Sequence, residues 1–216
     1  PERSGGPGVN QDKSFFDRLL EIIAVLLLAV TTLGTAWCGY QASQWSGVQT
    51  DDNRIEAEHR LEGNREFGRA IQTISYDTNM VALYAQAVQA GNTGLVQFYR
   101  QSLFRPEFLP TLDKWEAQVA AGQAPTPLVQ DPEYLDSLRS TYLQAQEQAD
   151  QAAKDAQQAG DYSQQYVLNT IVLAVALFFA GVTSSFRYQP ARALLIVLAL
   201  ATLAFAASRV ADLPIA

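Results

Sequence analysis

The chain of 216 residues has little of the chemistry on which most enzyme sites depend. It contains one cysteine, Cys38, which excludes an internal disulfide. It contains one histidine, His59, and no serine or cysteine stands beside it in a recognised nucleophile motif. A phosphate-binding glycine loop and a nucleotide fingerprint are also missing. We therefore predict no catalytic residue and no cofactor, and expect a protein that is not an enzyme.

Positive charge is also scarce in the middle of the chain. Residues 43–165 carry 17 acidic and 9 basic side chains, which gives a net charge of −8. A surface of this sign repels nucleic acids and anionic lipids. We therefore expect no nucleic-acid partner, and a protein, a cation or the cell envelope as the partner of this segment.

The dominant feature that is present is a set of three apolar stretches, which run from Leu19 to Trp37, from Tyr166 to Thr183 and from Ala193 to Ala207. A helix needs about 20 mostly apolar residues to cross the core of a bilayer. With their flanking residues, the stretches predict three transmembrane helices, at 15–42, 166–186 and 192–210.

Basic residues near these spans predict the orientation of the chain. Arg187 and Arg192 lie in or beside the short connection 187–191, which contains no acid. Because short cytoplasmic loops are enriched in Lys and Arg, we expect a cytoplasmic hairpin there. Because two spans separate the hairpin from residues 1–14, we expect this tail to be cytoplasmic as well. Residues 43–165 and the carboxyl terminus are then expected outside.

The first span has an alternative interpretation. Gly34, Thr35 and Ala36 form a small-x-small sequence after which a signal peptidase could cut. We favour a retained span, because the apolar run is long for a signal peptide and helix-compatible residues continue through Ala42. Cleavage would remove one span and leave the orientation unchanged.

Aromatic residues stand at the outer end of the first span. Trp37, Tyr40 and Trp45 lie where this helix should leave the bilayer. Amphipathic rings favour that boundary, since they present an apolar body to lipid and a polar atom to water. We therefore predict these three as membrane-interface residues.

The segment Asp51 to Ala90 contains no proline and predicts a long amphipathic helix that ends at Gly91. One stripe of it has apolar residues at spacings of three and four, with Thr78 in one slot: Phe67, Ile71, Ile74, Val81, Ala85 and Val88. A second apolar set lies off this stripe: Ile55, Leu61, Tyr76, Leu83 and Tyr84. We expect either a cap or another subunit to cover the second set.

A second long helix is predicted to begin at Asp131, which suits the N-cap, with Pro132 at the first helical position. Its apolar positions alternate at three and four residues and form a coiled-coil seam made largely of alanine: Leu135, Leu138, Tyr142, Ala145, Ala149, Ala152, Ala156 and Ala159. Small side chains let helix axes approach closely. We expect this helix to run into the second span.

The two long segments are similar in length, and no strand-like run separates them. The sequence therefore predicts an all-α fold with three transmembrane helices, an extracytoplasmic antiparallel hairpin of long helices and a small helical cap at 92–130. Small residues in the spans, such as Gly34, Ala176 and Ala180, favour self-association through close helix contact.

Glu56 and His59 form a Glu-x-x-His pair on one helical face, as in the carboxylate-bridged di-iron bundles. Those sites need two such motifs, and a second copy of the chain would have to supply the other. His59 with nearby carboxylates could instead bind one divalent ion. A solvated face held by salt bridges is the interpretation that we favour over a metal site.

Two stretches resemble an uncharacterised family of small bacterial membrane proteins. The first reads Thr-Ala-Trp-Cys-Gly-Tyr-Gln-Ala at 35–42 with Trp-Ser-Gly at 45–47, and the second reads Phe-Arg-Pro-Glu-Phe at 104–108, followed by Trp115. The resemblance implies a bacterial cytoplasmic membrane location and the same order of spans. It implies no catalytic residue.

These features predict a non-catalytic, membrane-anchored structural or accessory subunit of an envelope complex, which contacts the lipid bilayer and either a protein partner or further copies of itself. The alternative is an extracytoplasmic ligand-sensing module that signals through a partner protein, because the predicted cytoplasmic segments are short. A transporter would need more polar groups at mid-depth than these spans contain.

Overall fold

The computed structural model describes residues 15–186 and 188–216. The predicted tail at 1–14 and Arg187 lie outside the described residues. Every regular element in the described part is helical, which confirms the predicted all-α fold. Five α-helices are found in that part: α1 (Phe15–Gln89), α2 (Thr93–Phe98), α3 (Leu109–Ala120), α4 (Pro132–Val182) and α5 (Gln189–Ala211). Shorter turns are a π-helical turn at Tyr99–Leu103 and 3-10 turns at Pro106–Phe108, Leu128–Gln130 and Thr183–Ser185.

Helix α1 joins the first predicted span and the first predicted outer helix into a single element of 75 residues. It contains no proline, and it continues through Gly63 and Gly68. It ends where the sequence predicts, because Gly91 has a left-handed φ of +69°. The N–H of Gly91 donates to Val88 O at 3.1 Å and that of Asn92 to Ala87 O at 3.1 Å. These two bonds form a Schellman motif, which satisfies the last carbonyls of the helix.

Helix α4 begins and continues as the sequence predicts. The carboxylate of Asp131 accepts the N–H of Glu133 at 3.1 Å and the N–H of Tyr134 at 3.4 Å. Pro132 occupies the first helical position, where no intrahelical N–H is needed. The helix then runs to Val182 without a break and includes the second predicted span up to that residue, four residues short of its predicted end at 186. Helices α1, α4 and α5 each contain a segment long and apolar enough to cross a membrane.

The chain divides into two compact units. The described residues among 15–51 and 155–216 form one, which is called the apolar unit, and residues 52–154 form the other, which is called the polar unit.

The apolar unit has many small side chains inside, beside Leu20, Leu27, Tyr166, Leu173 and Ile196, and most of its large aliphatic side chains outside. Its most buried small residues are each 1 % exposed or less: Cys38, Ala176, Ala180, Ala199 and Ala206. Large aliphatic side chains point outward, among them Ile22, Val25, Leu26, Val30 and Leu33. A Cβ placed on Gly34 would lie 3.4 Å from Leu173 Cδ1, so the helices are in close contact there. The small residues expected to favour self-association thus pack within the chain.

The polar unit contains an antiparallel pair of helices. Gly63 of α1 lies against Ala145 of α4, and further along α1 Asp77 meets Tyr134, which is earlier in α4. A cap formed by α2, α3 and the connecting turns packs on this pair. Its core joins aromatic and aliphatic side chains: Tyr84, Phe104, Phe108, Leu112, Leu128 and Tyr134.

The predicted seam of α4 is buried. In the polar unit Ala145, Ala149 and Ala152 are 3 %, 0 % and 7 % exposed, while Leu135, Leu138 and Tyr142 are half-buried. In the apolar unit Ala156 and Ala159 are both 2 % exposed. The alanine alternation therefore lies on a packed face throughout.

The stripe of apolar residues on α1 is only partly packed within the chain, because Ile74 and Val81 pack against the cap core while other members stay about half exposed. Phe67 is 52 % exposed, and Ile71 and Val88 are each 48 % exposed. The buried positions recur every seven residues instead, at Gly63, Ala70, Asp77 and Tyr84. The reason is steric and electrostatic: Gly63 and Ala70 let α4 approach closely, Asp77 binds cap residues, and Tyr84 enters the cap core.

Candidate functional site

The most unusual site in the polar unit is a buried carboxylate. Asp77 is 0 % exposed and accepts three hydrogen bonds, from Arg105 Nε at 3.1 Å, from Arg105 Nη2 at 2.6 Å and from Tyr134 Oη at 2.8 Å. Taking a charge out of water is expensive unless it is paired and hydrogen-bonded. The guanidinium of Arg105 supplies both the opposite charge and two hydrogen bonds, and it joins α1 to the cap. The hydroxyl of Tyr134 joins α1 to α4.

The protonation states in this cluster are fixed by its surroundings. Burial, and then the hydrogen bond to Asp77, raises the pKa of Tyr134 well above the usual value of a phenol. The hydrogen bond to Asp77 raises the pKa of Arg105 further above its ordinary high value. Tyr134 therefore stays a neutral donor and Arg105 a cation, so the cluster holds the fold together and offers no proton for transfer near neutral pH.

A second charged cluster is organised around Arg100 in the π-helical turn. Arg100 Nη1 lies 3.0 Å from both carboxylate oxygens of Glu116, and Nη2 donates to Asp113. The hydroxyl of Tyr84 also donates to Glu116, and burial together with this hydrogen bond raises the pKa of Tyr84. The turn between α2 and α3 is thus fastened to α3 and to α1.

A third ion pair connects α3 to the start of α4. Lys114 Nζ lies 2.9 Å from Asp131 Oδ2 and 3.5 Å from Glu133 Oε2. The hydrogen bond from Lys114 is the main reason that the pKa of Asp131 lies below its usual value. Asp131 therefore acts twice, as the N-cap of α4 and as the partner of α3. Together the three clusters bind the π-helical turn, Arg105 and α3 of the cap to the helix pair.

The Glu56 and His59 pair is not assembled as a metal site. Glu56 Oε1 lies 2.7 Å from Arg60 Nε, and Arg60 Nη2 lies 3.4 Å from Asp150. The carboxylate near the imidazole is that of Glu62, with Oε2 at 3.7 Å from His59 Nδ1. In the described part of the chain, no group of three or more His, Cys, Asp or Glu side chains is placed to hold a metal ion.

A cavity lies beside His59, because Gly63 leaves space between α1 and α4. It has a volume of about 230 Å³ and is lined by His59, Arg60, Asn64, Phe67, Tyr142 and Gln146 around Gly63. The ring of Phe67 meets that of Tyr142 at 5.6 Å in an edge-on arrangement. His59 Nδ1 is buried and has no hydrogen-bond partner within the described residues. The cavity therefore combines an aromatic wall with polar groups.

The three predicted interface aromatics occupy two environments. Trp37 and Tyr40 are 45 % and 53 % exposed, and their rings lie 6.0 Å apart. Trp45 instead packs on Tyr162 at 4.8 Å, and its Nε1 donates to Pro214 O at 3.1 Å. Trp37 and Tyr40 are thus free to meet an interface, whereas Trp45 also secures the segment after α5.

Comparisons with protein-family models, with curated proteins and with solved structures found no match to this chain. The resemblance carried by residues 35–47 and 104–108 stays a prediction.

Sequence reasoning missed the Asp77 cluster, although one observation points toward it. Asp77 is the only charged residue between Arg69 and Arg100. A lone acid in a long uncharged helical stretch is a candidate for burial with a partner. Which base it binds does not follow from the sequence, since Arg105 lies 28 residues away in an irregular segment.

Proposed function

We propose that this chain is a non-catalytic, membrane-anchored structural or accessory subunit of a bacterial envelope complex. Its apolar unit would anchor it in the cytoplasmic membrane, and its polar unit would make the protein contacts. The amino terminus would be inside, and residues 43–165 and the carboxyl terminus outside.

The observation that carries this proposal is the way in which the cap is held. Its cations Arg100, Arg105 and Lys114 are all bound to carboxylates of the same unit. Because these charges are paired within the unit, the cap is held in one position on the helix pair. Such a unit, with apolar residues of α1 still half exposed, can present a fixed surface to another protein. It does not suit proton transfer, because Tyr134 keeps its proton and Asp77 has no exposed surface.

The orientation can be tested with single cysteines in matched exposed serine positions. Ser140 lies on α4 in the polar unit and Ser184 in the turn after α4, and both are exposed. A membrane-impermeant maleimide added to intact cells or spheroplasts should label Ser140→Cys and leave Ser184→Cys unlabelled until the membrane is opened. Labelling in the reverse order would contradict the proposed topology.

The proposed role is tested by cross-linking in native membranes, followed by mass spectrometry of the captured chain. We expect a stoichiometric protein partner whose cross-links map to the polar unit. Recovery of the uncross-linked monomer alone, over a range of cross-linker lengths, would contradict the proposal. A variant that loosens the cap, Asp77→Ala, should lose the partner if the fixed surface is what the partner recognises.

The cavity beside Gly63 supports a second candidate, an extracytoplasmic ligand-sensing module. Gly63→Leu would fill the cavity, whereas Gly68→Leu is a matched control, because a Cβ at Gly68 meets no atom within 4 Å. Thermal shifts against Zn²⁺, free amino acids and monosaccharides should be lost in the first variant only. Absence of any shift in the wild-type chain would count against sensing and would leave the structural role unaffected.

A further inference from the structure

The segment that follows α5, residues 212–216, lies on α1 and α4 within the apolar unit, and we call it the latch. Its central contact is Pro214 O, which accepts two hydrogen bonds, from Trp45 Nε1 and from Tyr166 Oη, both at 3.1 Å. Trp45 belongs to α1 and Tyr166 to α4. One backbone carbonyl thus connects the chain after α5 to both neighbouring helices.

Two further contacts hold the latch in place. The N–H of Ala216 donates to Gln41 Oε1 at 3.0 Å. Leu213 is half-buried and packs on the apolar cluster that contains Cys38. The N–H of Leu213 donates to Val210 O at 3.1 Å, in the turn that follows α5. The latch is therefore held by hydrogen bonds to its backbone and by one apolar side chain.

Two of the side chains that hold the latch are polar groups buried among apolar ones. Tyr166 is 0 % exposed and Gln41 is 1 % exposed. A buried hydroxyl or amide costs free energy unless it is hydrogen-bonded, and the latch backbone is the partner of both. Backbone outside a helix has the same need where water is scarce, because its N–H and C=O groups have no regular partner within the segment. Each side therefore satisfies the other.

Helix α5 itself packs on its neighbours through apolar side chains, of which Ile196, Ala199 and Ala206 are the most buried. The hydroxyls of Thr202 and Ser208 donate to carbonyls of α5 itself and do not bind another helix. Because lipid supplies no hydrophobic driving force between helices, close packing and hydrogen bonds decide how they associate. The hydrogen bonds of the latch should therefore contribute strongly to the position of this end of α5.

An apolar groove beside the latch shows that packing alone does not hold this end of α5 completely. The groove has a volume of about 370 Å³, and its lining includes Gly34 and Cys38 of α1, Leu173 of α4, and Val210 and Ala211 of α5. It therefore lies where α1 and α5 are not in full contact. Val210 and Ala211 directly precede the latch, so a movement of the latch would change the width of the groove.

We propose that the latch opens and closes as a unit, and that its closed form fixes the end of α5 against α1 and α4. Four of its five residues are exposed, and a segment with few buried contacts opens more readily than a packed helix. On opening, Leu213 leaves the cluster around Cys38, the groove widens, and the thiol becomes accessible. The inference concerns the apolar unit alone, so it depends neither on the proposed partner nor on the proposed orientation.

The buried thiol of Cys38, the single cysteine of the chain, reports on the latch. Its alkylation by N-ethylmaleimide is followed by the intact mass of the full chain, in detergent and in lipid nanodiscs. Tyr166→Phe removes one hydrogen bond to Pro214 and keeps the ring. Tyr162→Phe is the matched control, because the Tyr162 hydroxyl accepts from Gln158 of the same helix. We expect alkylation about fivefold faster in Tyr166→Phe, the ratio for one lost hydrogen bond, and the wild-type rate in the control.

A second pair of variants changes the latch and leaves α1 and α4 intact. Leu213→Ala removes its half-buried side chain, whereas Ile215→Ala removes one that is 70 % exposed. We expect faster alkylation of Cys38 in Leu213→Ala and the wild-type rate in Ile215→Ala. The inference requires the effect in both Tyr166→Phe and Leu213→Ala, so a wild-type rate in either of them would overturn it.

Hydrogen exchange separates opening of the latch from a general loosening of the apolar unit. In Tyr166→Phe and Leu213→Ala we expect faster exchange at residues 210–216, and wild-type exchange in peptides that contain the packed residues Leu27 and Ile196. Faster exchange throughout the apolar unit would mean that both side chains stabilise the whole helix group, and would overturn the latch. Neither result bears on the protein partner, which cross-linking in native membranes tests separately.

Discussion

The two units of this chain bury different kinds of side chain, although α1 and α4 contribute to both. The apolar unit packs alanine and cysteine inside together with a few larger residues such as Leu27 and Leu173, and turns most of its large aliphatic side chains outward. The polar unit packs aromatic rings, alanines and the carboxylates of Asp77 and Asp131 inside and turns most of its charge outward. The difference is the one expected if the apolar unit lies in a membrane, because burial of large apolar groups stabilises a fold in water but gains little in lipid.

Both units leave some neutral polar atoms without a partner. Within the described residues, Thr31 Oγ1 and Asn169 Oδ1 of the apolar unit and His59 Nδ1 of the polar unit are buried and have no hydrogen-bond partner. In the polar unit Asp77 is just as deeply buried, but has three donors. Burial of an unpaired charge costs much more free energy than burial of a neutral polar atom that lacks a hydrogen-bond partner.

The largest expected effect concerns the buried charge. Asp77→Ala leaves Arg105 and Tyr134 without their acceptor, and we expect the polar unit to lose about 3–5 kcal/mol of unfolding free energy. Denaturant unfolding of the full chain, followed by the fluorescence of Trp115 in the cap, measures it. Asp136→Ala removes an exposed carboxylate and should change stability by about 0.5 kcal/mol or less. Similar effects of the two variants would contradict the assigned role of Asp77.

A matched pair of leucines tests the influence of the medium. Leu112 is 0 % exposed in the polar unit and Leu173 is 3 % exposed in the apolar unit. We expect Leu112→Ala to cost about 2–5 kcal/mol. Leu173→Ala should cost less, because lipid is as apolar as the protein interior and only packing is lost. Unfolding in a lipid-like detergent compares them, and a larger loss for Leu173→Ala would break the comparison.

Overpacking should affect the two units alike, since steric overlap does not depend on the solvent. Ala149 and Ala176 both lie on the packed face of α4, at 0 % and 1 % exposed. We expect Ala149→Leu and Ala176→Leu each to lower the free energy of unfolding by about 1–3 kcal/mol. If one of the two variants is neutral in the same unfolding assay, its seam position is not as tightly packed as described.

The smallest expected effect is a pH dependence confined to the polar unit. The pKa of Asp131 is lowered in the folded chain by Lys114 and by its capping bonds. Its stabilisation is therefore present above the unfolded value of about 3.9 and is lost as pH falls through the lower folded value. We expect about 1 kcal/mol, the typical contribution of a cap, to be lost between pH 7 and pH 3. Asp131→Asn should show a smaller decline over that range, and an equal decline would assign the effect to other groups.

Much of the fold follows from the sequence because it depends on local rules. The end of α1 at Gly91 requires a residue that tolerates positive φ, and the start of α4 requires a cap such as Asp131. The alanine seam of α4 is equally local, since its alternation is unbroken. These features were predicted at the residues where the structure has them.

The buried face of α1 could not be predicted from the sequence, because two faces of this helix are candidates for burial. The 3-4 alternation from Phe67 to Val88 is the stronger pattern in sequence, yet the face with Gly63, Ala70 and Asp77 is the buried one. The cap and α4 decide between them, through contacts of Asp77 with Arg105 and Tyr134, which lie 28 and 57 positions away. No periodicity in the sequence encodes such contacts.

The distance along the chain between Asp77 and its donors also sets an order for biosynthesis. Arg105 is made 28 residues after Asp77, and Tyr134 57 residues after it. At ribosomal speeds of about 5–20 residues per second, Asp77 waits about 3–11 s for its last donor. Until Arg105 is made, about half-way through that interval, the nascent helix has an unneutralised acid in an uncharged stretch, and the acid lacks its full set of donors until α4 begins to emerge.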